Sequence, residues 1–328
     1  MPLKIITADE RLRAAPKINI ALFGPSGVGK TTQARTLDPA TTLFIDLEAG
    51  TLAIQEWTGD VVDVRQEAAR IGVHPWELAR ALVCWLSGPD PAASMSSPYG
   101  QAAYDGYCQA LGDPAAHADK RTLFWDSITV AARHCLDWSR RQPEAFSEKT
   151  GKPDNRGAYG LHGQEMVRWL TQIQHMPGRS TIVVGILERI ESDDGLKRVS
   201  WEPQIDGSKA GRELPGIFDE VITLSNFTTD KGEQYRAFVT HQVNPFGFPA
   251  KDRSGRLDLL EPPDLGALMK KIHGGKRVDG SLVTALPAPS APEPLAAEAI
   301  GPAQHVRPPE PGPTDFGFGD GAPAAVAP

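Results

Sequence analysis

Ile18-Asn-Ile-Ala-Leu-Phe-Gly24-Pro-Ser-Gly-Val-Gly-Lys-Thr-Thr32 joins a short apolar run to a glycine-rich turn, and its reading decides the fold. An apolar run without polar alternation is the pattern of a strand buried on both faces, as in a parallel sheet. The turn has the spacing Gly24-x-x-x-x-Gly29-Lys30-Thr31, and a helix is expected to follow from Thr31 to about Leu37. Strand, glycine turn and helix in this order are the context that gives the motif its specificity. Glycines at 24, 27 and 29 let backbone N–H groups converge on a phosphate at a helix N-terminus, with Pro25, Ser26, Val28 and Thr32 completing the cradle. Lys30 is placed to reach the β- and γ-phosphates, and the Thr31 hydroxyl to ligate Mg²⁺. The stretch predicts a P-loop that takes ATP with magnesium.

Working outward, Thr42-Leu-Phe-Ile-Asp46, Thr122-Leu-Phe-Trp-Asp126 and Thr181-Ile-Val-Val-Gly-Ile-Leu187 repeat the pattern of a short buried strand. Between them, Leu78, Leu82, Trp85 and Leu86 share one helical face, as do Met166, Trp169, Leu170 and Ile173. Glu220-Val-Ile-Thr-Leu224 and Tyr235-Arg-Ala-Phe-Val-Thr240 read as later strands. This alternation predicts an α/β fold, a mostly parallel sheet flanked by helices.

Two strand-end acids are candidates for the chemistry. Asp126 closes Leu123-Phe-Trp and is followed by Ser127, which suits a second magnesium ligand; the alternative is a helix N-cap. Glu48 stands two residues beyond Asp46, at the sheet edge where ligands of open α/β folds bind. There it would orient the attacking water, or else be a solvated loop acid.

The bulk properties set limits. The chain has 328 residues, 40% hydrophobic and 23% charged, room for one sizeable α/β core. A formal net charge of -7 argues against a simple, uniformly basic nucleic-acid binder while leaving room for a local basic loop. Cys84, Cys108 and Cys135 form no CxxC pair, which suits free thiols in a reducing cytoplasm better than disulfides or zinc. The sequence has no run of 18 apolar residues, so a membrane partner is not expected. From about Gly280 proline and alanine dominate, a composition too poor in burial to fold. The expected organisation is an N-terminal extension over 1–16, a core over 17–275 and a disordered C-terminal tail over 276–328 that offers a partner-docking segment.

Taken together, the P-loop, Phe44-Ile-Asp-Leu-Glu48 and Asp126-Ser-Ile resemble the RecA family of recombinase ATPases, in order and in approximate spacing. The core is similar, more closely, to phage-encoded proteins built on a RecA-like core alone, called nucleotide-binding or AAA ATP-binding proteins, some of them Sak-type single-strand annealing proteins. Gly207-Ser-Lys-Ala-Gly211, Leu214-Pro-Gly-Ile-Phe-Asp-Glu-Val221 and Pro249-Ala-Lys-Asp-Arg-Ser-Gly255 carry that second likeness, which covers roughly 16–273. The resemblance implies a DNA-dependent ATPase of recombination or replication that binds and anneals single-stranded DNA, assembled as a homo-oligomer in the host cytoplasm. A packaging motor and a nucleotide-switched adaptor are the alternatives.

The same resemblance directs attention to further residues. Glu188 falls where the recombinases carry a polar γ-phosphate sensor, usually glutamine; a carboxylate there would repel the phosphate. Glu191 to Trp201 reads as a hairpin turning at Asp194-Gly195, in the region of the family's DNA-binding loop. Lys197, Arg198, Lys209 and Arg212 would meet phosphates and Trp201 would stack a base, unless the tryptophan is a packing residue and the cations a solvated face. Lys251 and Arg253 are candidates for cations given in trans to a neighbouring subunit's γ-phosphate, with a local ion pair to Asp252 or Asp258 as the alternative.

Overall fold

A computed structural model describes residues 3–13, 17–191 and 199–274. Its strands are β1 (Asn19–Gly24), β2 (Thr42–Asp46), β3 (Asp60–Asp63), β4 (Thr122–Asp126), β5 (Ser180–Glu191), β6 (Val199–Pro203), β7 (Glu220–Thr228), β8 (Gln234–Val239), β9 (Lys251–Asp252) and β10 (Leu260–Glu261). The helices are α1 (Ala8–Arg13), α2 (Val64–Ile71), α3 (Pro75–Ser87), α4 (Gln101–Leu111), α5 (Ile128–Ser139), α6 (Asn155–His175), α7 (Ser208–Ile217) and α8 (Leu265–Gly274). The expected tail over 276–328 lies outside the described residues.

The sheet order is β10-β8-β7-β1-β5-β4-β2-β3. From β7 to β3 every pairing is parallel, whereas β8 and β10 add antiparallel strands at one side. The mostly parallel α/β sheet expected from the sequence is therefore present. Its apolar strands have a two-residue period on each face. Ala21, Phe23, Ile45, Trp125 and Val183 point into a core shared with α3, α5 and α6. Ile20, Leu22, Phe44, Phe124 and Ile182 point to the other side, where Leu265, Leu268 and Ile272 of α8 cover them. Burial on both faces is what makes these strands read as unbroken apolar runs. On the more heavily covered face, the Trp169 ring stands edge-on to Trp125 at 5.3 Å, and its indole N–H donates to the Ala79 carbonyl at 3.2 Å.

Two local expectations differ. The segment after the cradle is a 3-10 helix, Thr31–Thr36, and not an α-helix. Pro39 biases Asp38 away from helical geometry, which shortens the element, and the α8 start passes over its end, with the Gly266 N–H donating to Thr36 Oγ1 at 3.1 Å. The strand β3 was not anticipated, because Asp60-Val-Val-Asp63 is an exposed-to-half-buried edge bracketed by acids.

Candidate functional site

The parallel strands deliver their C-terminal ends to one edge. In register, Asp46 lies beside Asp126, and Gly24 beside Ile186 of β5, the strand between β1 and β4. The cradle thus begins at the centre of the sheet, with the two strand-end acids on its β4 and β2 side. Gly27 and Gly29 adopt φ of 76° and 97°, the left-handed region that turns the loop. Lys30 is buried against this loop and its Nζ donates to the carbonyls of Gly24 and Pro25, each at 2.9 Å. Burial lowers its pKa, opposed by Asp126 and then Glu48. The ammonium is thus held in the cradle on neutral acceptors, which an anionic phosphate outcompetes.

The predicted magnesium ligands meet: Thr31 Oγ1 donates to Asp126 Oδ2 at 2.7 Å. Asp126 is 1% exposed, and burial pushes its pKa up to about 7, with the Thr31 hydrogen bond lowering it and Glu48 and Asp46 raising it further. The alternative role for Asp126, capping the next helix, falls to its neighbour. Ser127 is the N-cap of α5, its hydroxyl oxygen accepting from the Val130 N–H at 3.4 Å. The same hydroxyl donates to Glu48 Oε1 at 3.0 Å, which fixes one carboxylate oxygen of an otherwise exposed side chain and leaves the other free.

Asp46 and Gly50 belong to this site although the sequence reading gave them no role. Asp46 is buried; its Oδ1 accepts from the N–H groups of Glu48 at 2.9 Å and Gly50 at 3.1 Å, while Oδ2 is buried with no partner. These two bonds bracket Ala49, held at φ 63°, a conformation costly for a residue with a Cβ. A Cβ added at Gly50 would come within 3.1 Å of Asp126 Oδ2, so the glycine permits the close approach of the β2 loop to the magnesium acid. The available signal was Asp46 itself, an acid closing an apolar strand.

Three clustered acids, one of them driven towards protonation and one with an orphaned oxygen, fit a cation. Among the described residues no group of three or more His, Cys, Asp or Glu side chains forms a metal cage by itself. Magnesium is commonly held through one or two protein groups together with substrate phosphates. Thr31 and Asp126 are the residues that would hold it.

The remaining candidates lie elsewhere. Glu188 is exposed on the β5–β6 hairpin, opposite Glu202 and two residues past the level of Gly24. The hairpin expected here is present, but Lys197, Arg198 and the turn at Asp194-Gly195 lie outside the described residues. Trp201 is half-buried with its ring 5.2 Å from Phe248, so it packs on the core in this structure. Lys209 and Arg212 are exposed and three residues apart on α7. At the opposite end of the strands, Lys251 Nζ donates to the carbonyls of Pro215 and Phe218 at 2.6 and 2.8 Å, and Arg253 pairs with Asp219 at 2.7 Å. Both cations have intramolecular partners, but these are carbonyls for Lys251 and Asp219 for Arg253, not the expected Asp252 or Asp258. No helix among the described residues is long and apolar enough to cross a membrane.

No match was found among curated proteins. One solved structure found by the comparison is a prototypical ATPase from the type III secretion system of pathogenic bacteria; it is 17% identical with a TM-score of 0.33, and the match covers 63% of this chain and about half, 52%, of that one. The sequence model of the AAA domain matches residues 16–254, from just before β1 to just past β9 and so across the cradle and both strand-end acids. The chain, matched over well more than half of its length, belongs to the AAA domain family of nucleotide-binding proteins.

Proposed function

We propose that this protein is a magnesium-dependent ATPase in which Glu48 activates the attacking water. The single observation that carries the reading is the contact between Glu48 and Ser127 at 3.0 Å, because it orients a carboxylate from the residue that follows Asp126, whose own carboxylate accepts from Thr31 at 2.7 Å. In this reading Lys30 leaves the Gly24 and Pro25 carbonyls for the phosphates, and the loop N–H groups complete the cradle. Magnesium, when bound, neutralises phosphate charge as the reaction proceeds. The free Glu48 oxygen accepts a proton from water as the water oxygen bonds to the γ-phosphorus. The bond to the bridging oxygen breaks and its electron pair leaves with ADP. Ser127 keeps Glu48 aimed, and Asp46 holds the backbone on which Glu48 stands.

Glu48→Gln tests this reading. Removing a general base costs roughly 10² to 10⁴ in turnover, and nucleotide affinity should stay near that of the wild type. Turnover unchanged in Glu48→Gln would remove Glu48 from the mechanism.

We infer, further, that turnover is coupled to single-stranded DNA. The supporting observation is that β5, which lies between the cradle strand and the Asp126 strand, continues into the β5–β6 hairpin, close in sequence to α7 with its exposed Lys209 and Arg212. A strand shared by the phosphate edge and the hairpin is a direct physical link between the two. ATP hydrolysis measured with and without single-stranded DNA decides this. Stimulation that Lys209→Ala and Arg212→Ala reduce supports the coupling. No stimulation and no retention of DNA would overturn it in favour of a motor or a nucleotide-switched adaptor.

A further inference from the structure

Arg236 is far from the P-loop in sequence, yet its guanidinium packs on Gly29. A Cβ built at Gly29 would fall 2.7 Å from Arg236 Nη1 and 3.6 Å from Cζ, so this contact occupies the space that any other residue at 29 would fill. The topology explains the approach. Leu224 of β7 reaches Gly24, its carbonyl oxygen only 2.3 Å from where a Cβ of Gly24 would stand. Two residues further on, Asn226 pairs with Arg236 of β8, so the β7–β8 hairpin overhangs the cradle.

Arg236 is exposed, and its side chain makes no hydrogen bond or ion pair with any described residue. At the loop its guanidinium lies against Gly29, and the Thr32 hydroxyl is 4.0 Å from the same Cβ position. Its positive charge therefore stands at the loop that also carries Lys30. The arrangement gains when an anion arrives, since a guanidinium is a rigid fork matched to phosphate oxygens.

We propose that Arg236 is a nucleotide-binding residue that acts within its own chain by clamping the diphosphate part of ATP and ADP. The proposal rests on the nucleotide reading above and extends it. The side of approach assigns the phosphates. Thr31, Asp126 and Glu48 lie towards β4 and β2, and Glu48 marks the end where water meets the γ-phosphate. Arg236 comes from β8, on the other side of β1, and rests on the Gly29–Thr32 flank. The nucleotide is thus held between the magnesium acids on one side and Arg236 on the other, with the γ-phosphate nearer the acids.

The test is equilibrium binding of ATP and ADP, each with magnesium, to the full-length wild type, Arg236→Ala, Arg236→Lys and Lys30→Ala, with thermal unfolding of each apo variant as the check on folding. The expected result is that Arg236→Ala weakens ADP and ATP alike by about tenfold or more. Arg236→Lys, which keeps the charge and loses the fork, should recover only part. Unchanged ADP affinity in a folded Arg236→Ala overturns the proposal, as does a loss confined to ATP, which would move the guanidinium to the γ-phosphate. Lys30→Ala separates the two readings. If it abolishes binding while Arg236→Ala does not, only the Arg236 role fails; if neither affects binding, the nucleotide site itself fails.

Discussion

The two ends of the parallel strands carry similar numbers of charged groups and treat them in opposite ways. At the C-terminal edge, Lys30 rests on two backbone carbonyls, Asp126 is buried beside Glu48 and Asp46, and Asp46 Oδ2 has no partner. At the N-terminal edge the chain satisfies itself. Lys251 caps the end of α7 through two carbonyls and Arg253 pairs with Asp219. There too, Glu220 accepts from the N–H groups of Arg253 and Ser254, and Asp252 from those of Gly255 and Leu257. Charges with partners from their own chain hold the fold together. Charges gathered without complementary partners at a sheet edge are kept for a ligand, and the energy they cost is returned when it binds.

Lys30→Ala should break the comparison most sharply. The side chain is hydrogen-bonded to the backbone carbonyls of Gly24 and Pro25 and not to an acid, and the apo protein should unfold near the wild-type temperature. Nucleotide affinity should fall about 100-fold, the scale of charge-assisted hydrogen bonds to phosphate. The thermal shift produced by magnesium and ATP should vanish with it. A large loss of apo stability would instead make Lys30 a structural lysine.

Asp126→Asn comes next and carries a pH signature. The folded pKa, about 7, lies above the reference value of 3.8, so the folded state holds a proton that the unfolded chain has released. The associated stability is present in full below the unfolded pKa and is lost as pH rises through the folded one. From pH 5 to pH 7 the apo wild type should lose roughly 2 kcal/mol that Asp126→Asn does not lose. Glu220, at the opposite edge, has its pKa pushed up to about 8 by burial and nearby Asp252, but it contributes equally to both proteins and cancels in the difference. Denaturant unfolding at several pH values, without nucleotide, measures the effect. Parallel pH profiles for the two proteins would show that Asp126 is not the strained acid of the edge.

Gly50→Ala should have a smaller effect. The new Cβ sits 3.1 Å from Asp126 Oδ2, a contact that a shift of a few tenths of an ångström relieves. Overpacking on this scale costs about 1 kcal/mol, and the acid that moves is the proposed magnesium ligand. The variant should therefore require several-fold more magnesium for half-maximal turnover while its apo stability changes little. An unchanged magnesium requirement would separate the β2 loop from the metal site.

What the sequence revealed and what it hid follow from the range of the interactions. The cradle and the strands ending in Asp46 and Asp126 are local patterns, and β2 and β4 have the expected bounds. The 3-10 form of Thr31–Thr36 was hidden because it depends partly on Gly266, which is remote in sequence and reaches it only in the folded chain. Asp46 was passed over because its partners are backbone N–H groups, which a side-chain motif does not display. Arg236 meets Gly29 through the pairing of β8 with β7 and of β7 with β1, so its place is a property of topology alone.

Arg253→Ala gives the smallest expected effect and tests the quieter edge. Arg253 and Asp219 are 52% and 27% exposed, so solvent screens their ion pair. Such a pair contributes about 0.2 to 1 kcal/mol, and unfolding of the variant should move by no more than that. The backbone bonds from Arg253 and Ser254 to Glu220 survive the substitution, which is why the edge should keep its shape. The informative readout is the dependence of turnover on protein concentration. If the resemblance to oligomeric RecA-like ATPases extends to the use of cations in trans, wild-type turnover per chain rises with concentration and the Arg253→Ala rise is flatter. If both curves rise together, the guanidinium serves its own chain only, and the division between a self-satisfied edge and a ligand-seeking edge holds without exception for this residue.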